Sequence, residues 1–87
     1  MPTKIEFGTF EIDSATRRAE ELLSSGQTVV LSLKLKGREM AHAEKGFEAI
    51  RRILVALSAF GRVEAEPQLI GRYLSTTIES RRYTRNA

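Results

Sequence analysis

Apolar and polar residues alternate along this chain in two rhythms, one of period two and one of period three to four. Lys4–Phe10 sets Ile5 and Phe7 against Lys4, Glu6 and Gly8, the pattern of a half-buried strand. Asp13 or Ser14 then offers a side-chain oxygen as a helix N-cap. Ala15, Ala19, Leu22 and Leu23 share one helical face, and Gly26 supplies a stop. Thr28–Lys36 is the clearest strand, with Val29, Leu31, Leu33 and Leu35 facing one way and Val30, Ser32, Lys34 and Lys36 the other. Gly37–Arg38 breaks the alternation and leads into a second helix running from Met40 or Ala41 to Phe60. In it Ala43, Phe47, Ile50, Leu54 and Leu57 recur opposite Glu44, Lys45, Glu48, Arg51 and Arg52. Gly46, within that helix, costs about 1 kcal/mol relative to alanine, which predicts a backbone passing close to a neighbour.

Gly61 ends the second helix. Arg62–Glu66 alternates again, Pro67 stops it, Gln68–Gly71 reads as a connecting loop, and Tyr73–Glu79 is a last strand with Leu74, Thr76 and Ile78 on one face. Residues 81–87 carry no apolar pattern and read as a frayed basic tail after a single domain spanning residues 1–80. The order β-α-β-α-β-β predicts an α/β chain of the α+β kind. It forms a two-layer sandwich with both helices on one face of the sheet and the other face open. Phe7, Phe10, Phe47 and Phe60 fall on inward positions and are expected in the core, as is Met40. Tyr73 points to the open face. With no second outward aromatic, a paired-aromatic stacking sheet of the RRM kind is disfavoured.

Composition narrows the classes. The 87 residues are 41% apolar and 29% charged, as in soluble globular domains. Cysteine is absent, which removes disulfides, thiolate metal sites and a cysteine nucleophile. The longest apolar run, Ile53–Leu57, is far short of a membrane span, and MPTKIEFGTF has no signal-peptide core, so the expected setting is the cytoplasm. Net charge is +3, unevenly spread. Residues 1–25 hold three basic against five acidic side chains, residues 26–54 six against three, and the remainder five against three. A polyanionic partner fits this middle-and-end excess, and so does a solvated mixed surface.

Lys36–Gly37–Arg38–Glu39–Met40–Ala41–His42–Ala43–Glu44–Lys45–Gly46, following an alternating strand, closely resembles a basic-Gly-Arg-Glu-Met-x-His-x-Glu-x-Gly run in the C-terminal domain of bacterial translation initiation factor 3. Val63–Glu64–Ala65–Glu66–Pro67 through Gly71–Arg72 is similar to that family's second stretch, before its last strand. The resemblance covers Lys4 to Glu79. It implies a four-stranded mixed sheet backed by two helices, binding of the small ribosomal subunit through its ribosomal RNA, and occlusion of premature joining by the large subunit. The family's N-terminal domain and lysine-rich connector have no counterpart here, so the chain is expected to be either an excised domain or a one-domain relative. The stretch between first strand and first helix is shorter than in the family and lacks its His-Asp-aromatic segment. Gln68 stands where the family often carries lysine.

The candidate RNA-binding residues are Lys34, Lys36, Gly37, Arg38, His42, Lys45 and Arg72. For Lys34, phosphate pairing and merely keeping a sheet face soluble weigh evenly. Arg38, beside a glycine at a helix start, suits bidentate phosphate binding. Gly37 supplies a positive φ, a bulge or a close approach for an RNA backbone. His42 either contacts RNA or ties the helix start to backbone, with the structural role favoured. Glu39 is a first-turn helix residue favoured by the dipole. Arg72 matches the family's Gly-Arg unit; Arg81, Arg82 and Arg85 add diffuse attraction. His42 and Glu44 share the His-x-Glu spacing of zinc deaminases, which need cysteine ligands that are missing here. No enzyme activity, cofactor, metal, membrane or small-molecule substrate is expected. The expected partner is the small ribosomal subunit with its RNA, bound by a monomer. The alternative is a protein-interaction module that keeps the fold without ribosome binding, for which an apolar patch around Val30 or Val55 would be the sign.

Overall fold

Parallel pairing of two strands requires a crossover, and the first helix supplies it. In the computed structural model, which describes residues 2–81, strand β1 (Thr3–Phe7) pairs in parallel with β2 (Val29–Lys34) through helix α1 (Ile12–Ser24). Two helices, α2 (Gly37–Met40) and α3 (Ala43–Ala56), lead to the hairpin of β3 (Gly61–Ile70) and β4 (Tyr73–Ser80). β4 inserts antiparallel between β2 and β3, giving the order β1-β2-β4-β3. This is the expected α+β sandwich on a four-stranded mixed sheet.

The core lies where the alternation placed it. Ile5 and Phe7 stand opposite Leu31 and Leu33, and Leu33 opposite Leu74, all buried. Ala15, Ala19 and Leu23 of α1 and Ile50 and Ile53 of α3 cover this face. Gly46 is buried over the sheet, and a Cβ there would come within 2.5 Å of Leu74 Cδ1 and 3.2 Å of Leu35 Cδ2. The close passage expected of Gly46 is therefore real, and its contact is the sheet's own core. On the opposite face Ser32 and Ser75 join hydroxyls at 2.9 Å across β2 and β4.

Several elements differ from the sequence reading, each for a local reason. β1 ends at Phe7, because Gly8 N–H donates to Glu11 Oε1 (2.8 Å) and Glu11 N–H to Gly8 O (3.0 Å). These bonds wind Thr9–Glu11 into a 3-10 turn. The turn throws Phe10 outward, 92% exposed, so Phe10 is not core. Phe7 is buried, while Phe47 and Phe60 are half-buried against the core. The second helix is two helices separated by Ala41–His42, and Met40, 38% exposed, is likewise not core. α3 stops at Ala56, and Phe60 and Gly61 turn back with N–H bonds to Leu57 O (2.9 and 3.0 Å).

β3 does not stop at Pro67. The strand continues to Ile70 with register slips between Val63 and Ala65 and between Ala65 and Gln68. An edge strand tolerates a residue with no N–H at such irregularities, and Thr76 Oγ1 donates to the loosened Ala65 carbonyl at 2.6 Å. The connection is only Gly71–Arg72, with Gly71 at φ 64°, the left-handed first position of a tight hairpin turn. Arg81 is held by N–H donation to Phe60 O (3.0 Å) and by its Nε to Ser58 O (2.7 Å), so the chain is not frayed there. The rest of the expected tail, with Arg82 and Arg85, lies outside the described residues.

Candidate nucleic-acid interface

The candidate residues gather where β2 ends. Beyond Lys34 the strand leaves the ladder, but Leu35 stays buried and its N–H donates to Arg72 O at 2.8 Å. That bond, together with the Lys34–Tyr73 register pair, sets the tip of the β3–β4 hairpin beside the start of α2. On the other side Glu39 acts as a clasp. Its Oε1 accepts the Lys36 backbone N–H (2.7 Å) and its Oε2 accepts the Thr9 hydroxyl (2.8 Å), tying the turn after β1 to α2. The Lys36 N–H and then the Thr9 hydroxyl hold the Glu39 carboxyl below its ordinary range, against a small opposing cost of desolvation.

Two recesses result. The larger, about 690 Å³, is lined by Lys34, Lys36, Gly37 and Arg72 together with Phe10 and Tyr73. The smaller, about 320 Å³, has Leu35, Gly46 and Ala49 in its wall and Arg38, His42 and Lys45 around them. Thr9 lines both. The seven expected residues are thus neighbours, four in one recess and three in the next. Among the described residues no carboxylate lies within 4 Å of the charged groups of Lys34, Lys36, Arg38, Lys45 or Arg72. The acids of the larger recess are engaged elsewhere, Glu6 with Lys4 (3.0 Å) and Glu11 with Gly8 N–H.

Two residues differ in role from expectation. Gly37 has no positive φ and sits at the first position of α2, where a Cβ would meet nothing within 4 Å. The fold does not require glycine there. His42 does not tie the helix start to backbone: it precedes α3 without a side-chain cap bond. Its side chain is 64% exposed, with Nδ1 3.6 Å from Glu44 Oε2.

Phe10 is what the sequence reading missed. Its ring lies 5.7 Å from Lys36 Nζ, a cation–π contact at the lip of the larger recess. The available signal was Gly8 and Glu11, three apart, the spacing at which a glutamate reaches back to a backbone N–H and ends a strand in a turn. Tyr73 is half-buried, with Lys4 Nζ 6.0 Å from its ring centroid. Among the described residues no His, Cys, Asp or Glu side chains group as a metal site, and no helix is long and apolar enough to cross a membrane.

A four-stranded mixed sheet with β4 inserted between β2 and β3, and a basic strand-to-helix junction beside the hairpin tip, defines a class of small α+β domain. The chain belongs to the family described as "Translation initiation factor IF-3, C-terminal domain", which it matches over residues 3–81. It is 38% identical over 68 residues to translation initiation factor IF-3 of a Nitratiruptor species, covering 78% of this chain and 38% of that protein. With the Pseudomonas aeruginosa factor it shares 42% over 62 residues, 71% of this chain and 34% of the relative. With that of Xanthobacter autotrophicus it shares 33% over 73 residues, 84% and 42%. The matched region thus spans roughly a third to two-fifths of these relatives' length.

Proposed function

We propose that this chain acts in translation initiation by binding RNA of the small ribosomal subunit through the rim around the β2–α2 junction. The bound domain then hinders joining of the large subunit by occupying space at the contact surface. The observation that carries this reading is the set of five cations at one junction with no carboxylate within 4 Å among the described residues, in a chain of this family. Phosphate oxygens supply the partners the protein withholds. Arg38 and Arg72 offer planar, two-pronged donors; Lys34, Lys36 and Lys45 offer point charges. No covalent bond is made or broken, and the setting is the cytoplasm, where ribosomes assemble on messages.

Sedimentation with purified subunits tests it. If about three to five phosphates are contacted, log affinity falls with log salt at a slope of about −2 to −4.5. Arg38→Glu combined with Arg72→Glu abolishes cosedimentation with small subunits while leaving the melting temperature near wild type, since both side chains are exposed. Cosedimentation unchanged in the double variant rejects this footprint. Salt-insensitive binding to a protein partner would instead favour the interaction-module reading. Of that reading's two apolar signs, Val55 is 73% exposed on α3, whereas Val30 is half-buried on the opposite, helix-free face.

A further inference from the structure

Phe10 is an apolar ring almost wholly in solvent, at the lip of a recess that also holds Lys34, Lys36 and Arg72. Its exposure is not that of a loose loop, because both sequence neighbours are pinned. Thr9 donates its hydroxyl to Glu39 (2.8 Å), and Glu11 closes the turn onto Gly8 N–H (2.8 Å). The backbone that carries the ring is therefore held on both sides. Lys36 Nζ sits 5.7 Å from the ring centroid, and Lys34 and Arg72 complete the charge of the same recess. An aromatic face on a held backbone, flanked by cations with no carboxylate within 4 Å among the described residues, is the arrangement that takes a base on the ring and its phosphates on the cations.

Resting on the RNA-binding reading above, we propose that Phe10 is a nucleobase-stacking platform. The recess it shares with Lys34, Lys36 and Arg72 takes an unpaired nucleotide of RNA. A base inside a duplex has both faces covered by its neighbours, so the recess selects a splayed-out base at a loop, bulge or end. Stacking on a phenylalanine is tolerant of base identity, because every base has a π-face. The platform thus selects for unpaired structure rather than for sequence.

The test uses the full chain with three probes: a short single-stranded oligoadenylate, an RNA duplex of equal length, and an equally charged strand of abasic nucleotides. Phe10→Ala should weaken binding to the single strand about 5- to 100-fold, with the salt slope unchanged. Lys36→Gln should instead lower that slope by about 0.7. The chain has no tryptophan, so Phe10→Trp installs a single reporter. Its fluorescence should be quenched by oligoadenylate and not by the abasic strand. Because the ring is exposed, the thermal melt of Phe10→Ala should match wild type, which separates binding from folding. Equal affinity of wild type and Phe10→Ala for a strand the wild type binds overturns the platform and leaves the RNA-binding reading standing. So does a Phe10→Ala variant that loses small-subunit binding yet keeps its affinity for bare RNA, which would place the ring against a protein. A wild-type chain that binds neither RNA nor subunits at low salt overturns the RNA-binding reading, and this proposal with it.

Discussion

Gly37 and Gly46 lie nine residues apart in one strand-to-helix run, and their surroundings are opposite. A side chain at Gly46 would press within 2.5 Å of Leu74 and 3.2 Å of Leu35, whereas one at Gly37 would meet open space. Gly46 lets α3 settle onto the sheet; Gly37 stands on a rim of cations that nothing in the described protein covers. The inner half of the run is thus held by packing, and the outer half is free to answer to a partner. Substitutions in the inner half should therefore move stability, and those in the outer half should move binding.

The largest effect is expected at Leu74, the β4 residue on which the inner half packs. It is fully buried opposite Leu33, so Leu74→Ala should cost about 2–5 kcal/mol in urea unfolding. Gly46→Ala alone gains about 1 kcal/mol of helix propensity but overpacks the core by about 1–3 kcal/mol, for a net loss near 1 kcal/mol. In the Leu74→Ala background the new methyl enters the vacated space, and the same substitution should stabilise by about 1 kcal/mol. Additive effects of the two changes would mean that something other than Leu74 dictates glycine at position 46.

A smaller effect is expected at the clasp between the two halves. Glu39 is held ionised by the Lys36 N–H and the Thr9 hydroxyl, so its folded pKa lies below the ordinary value of 4.5. A depressed carboxylate contributes stability that is present above its unfolded pKa and is lost as pH falls through the folded one. The wild-type melting temperature should accordingly drop more steeply than that of Glu39→Gln as pH is lowered from about 6 through the region below 4.5. The two curves should converge in strong acid. Parallel curves across that window would mean the clasp adds nothing to folding.

The buried half of the molecule was legible because burial writes itself as periodicity. Val29, Leu31, Leu33 and Leu35 of β2 and its extension, and Leu74 and Ile78 of β4, are buried as their alternation required. The glycine at 46 marked a close approach that alternation alone could not show. Elements governed by one local hydrogen bond were not legible. The Gly8–Glu11 bond ends β1 early and turns Phe10 out, although Phe10 closes the segment Lys4–Phe10 read as one strand. The break at Ala41–His42 is made by local bonds, Ala41 N–H to Arg38 O and His42 N–H to Glu39 O, and the passage of β3 through Pro67 is accompanied by the Thr76 hydroxyl reaching Ala65 O. The seven candidate residues were readable as a set from the motif. Their division into two recesses was not, because it depends on Thr9, thirty residues before its partner Glu39.

The smallest expected effect on the fold belongs to Gly37, and it is the sharpest check on the division between halves. Its φ is ordinary, it occupies the first turn of a four-residue helix, and an added Cβ meets nothing within 4 Å. Gly37→Ala should change unfolding free energy by no more than about 0.5 kcal/mol, as for surface positions without special backbone demands. If an RNA backbone lies against this part of the rim, the same methyl stands in its way, and affinity for small subunits should fall a few-fold at constant salt slope. The slope stays because no charge has changed; only the closeness of approach has. A variant that melts lower than wild type would show that the position is packed after all. One that melts normally and binds as tightly would remove Gly37 from the footprint and leave its cationic neighbours to carry the contact.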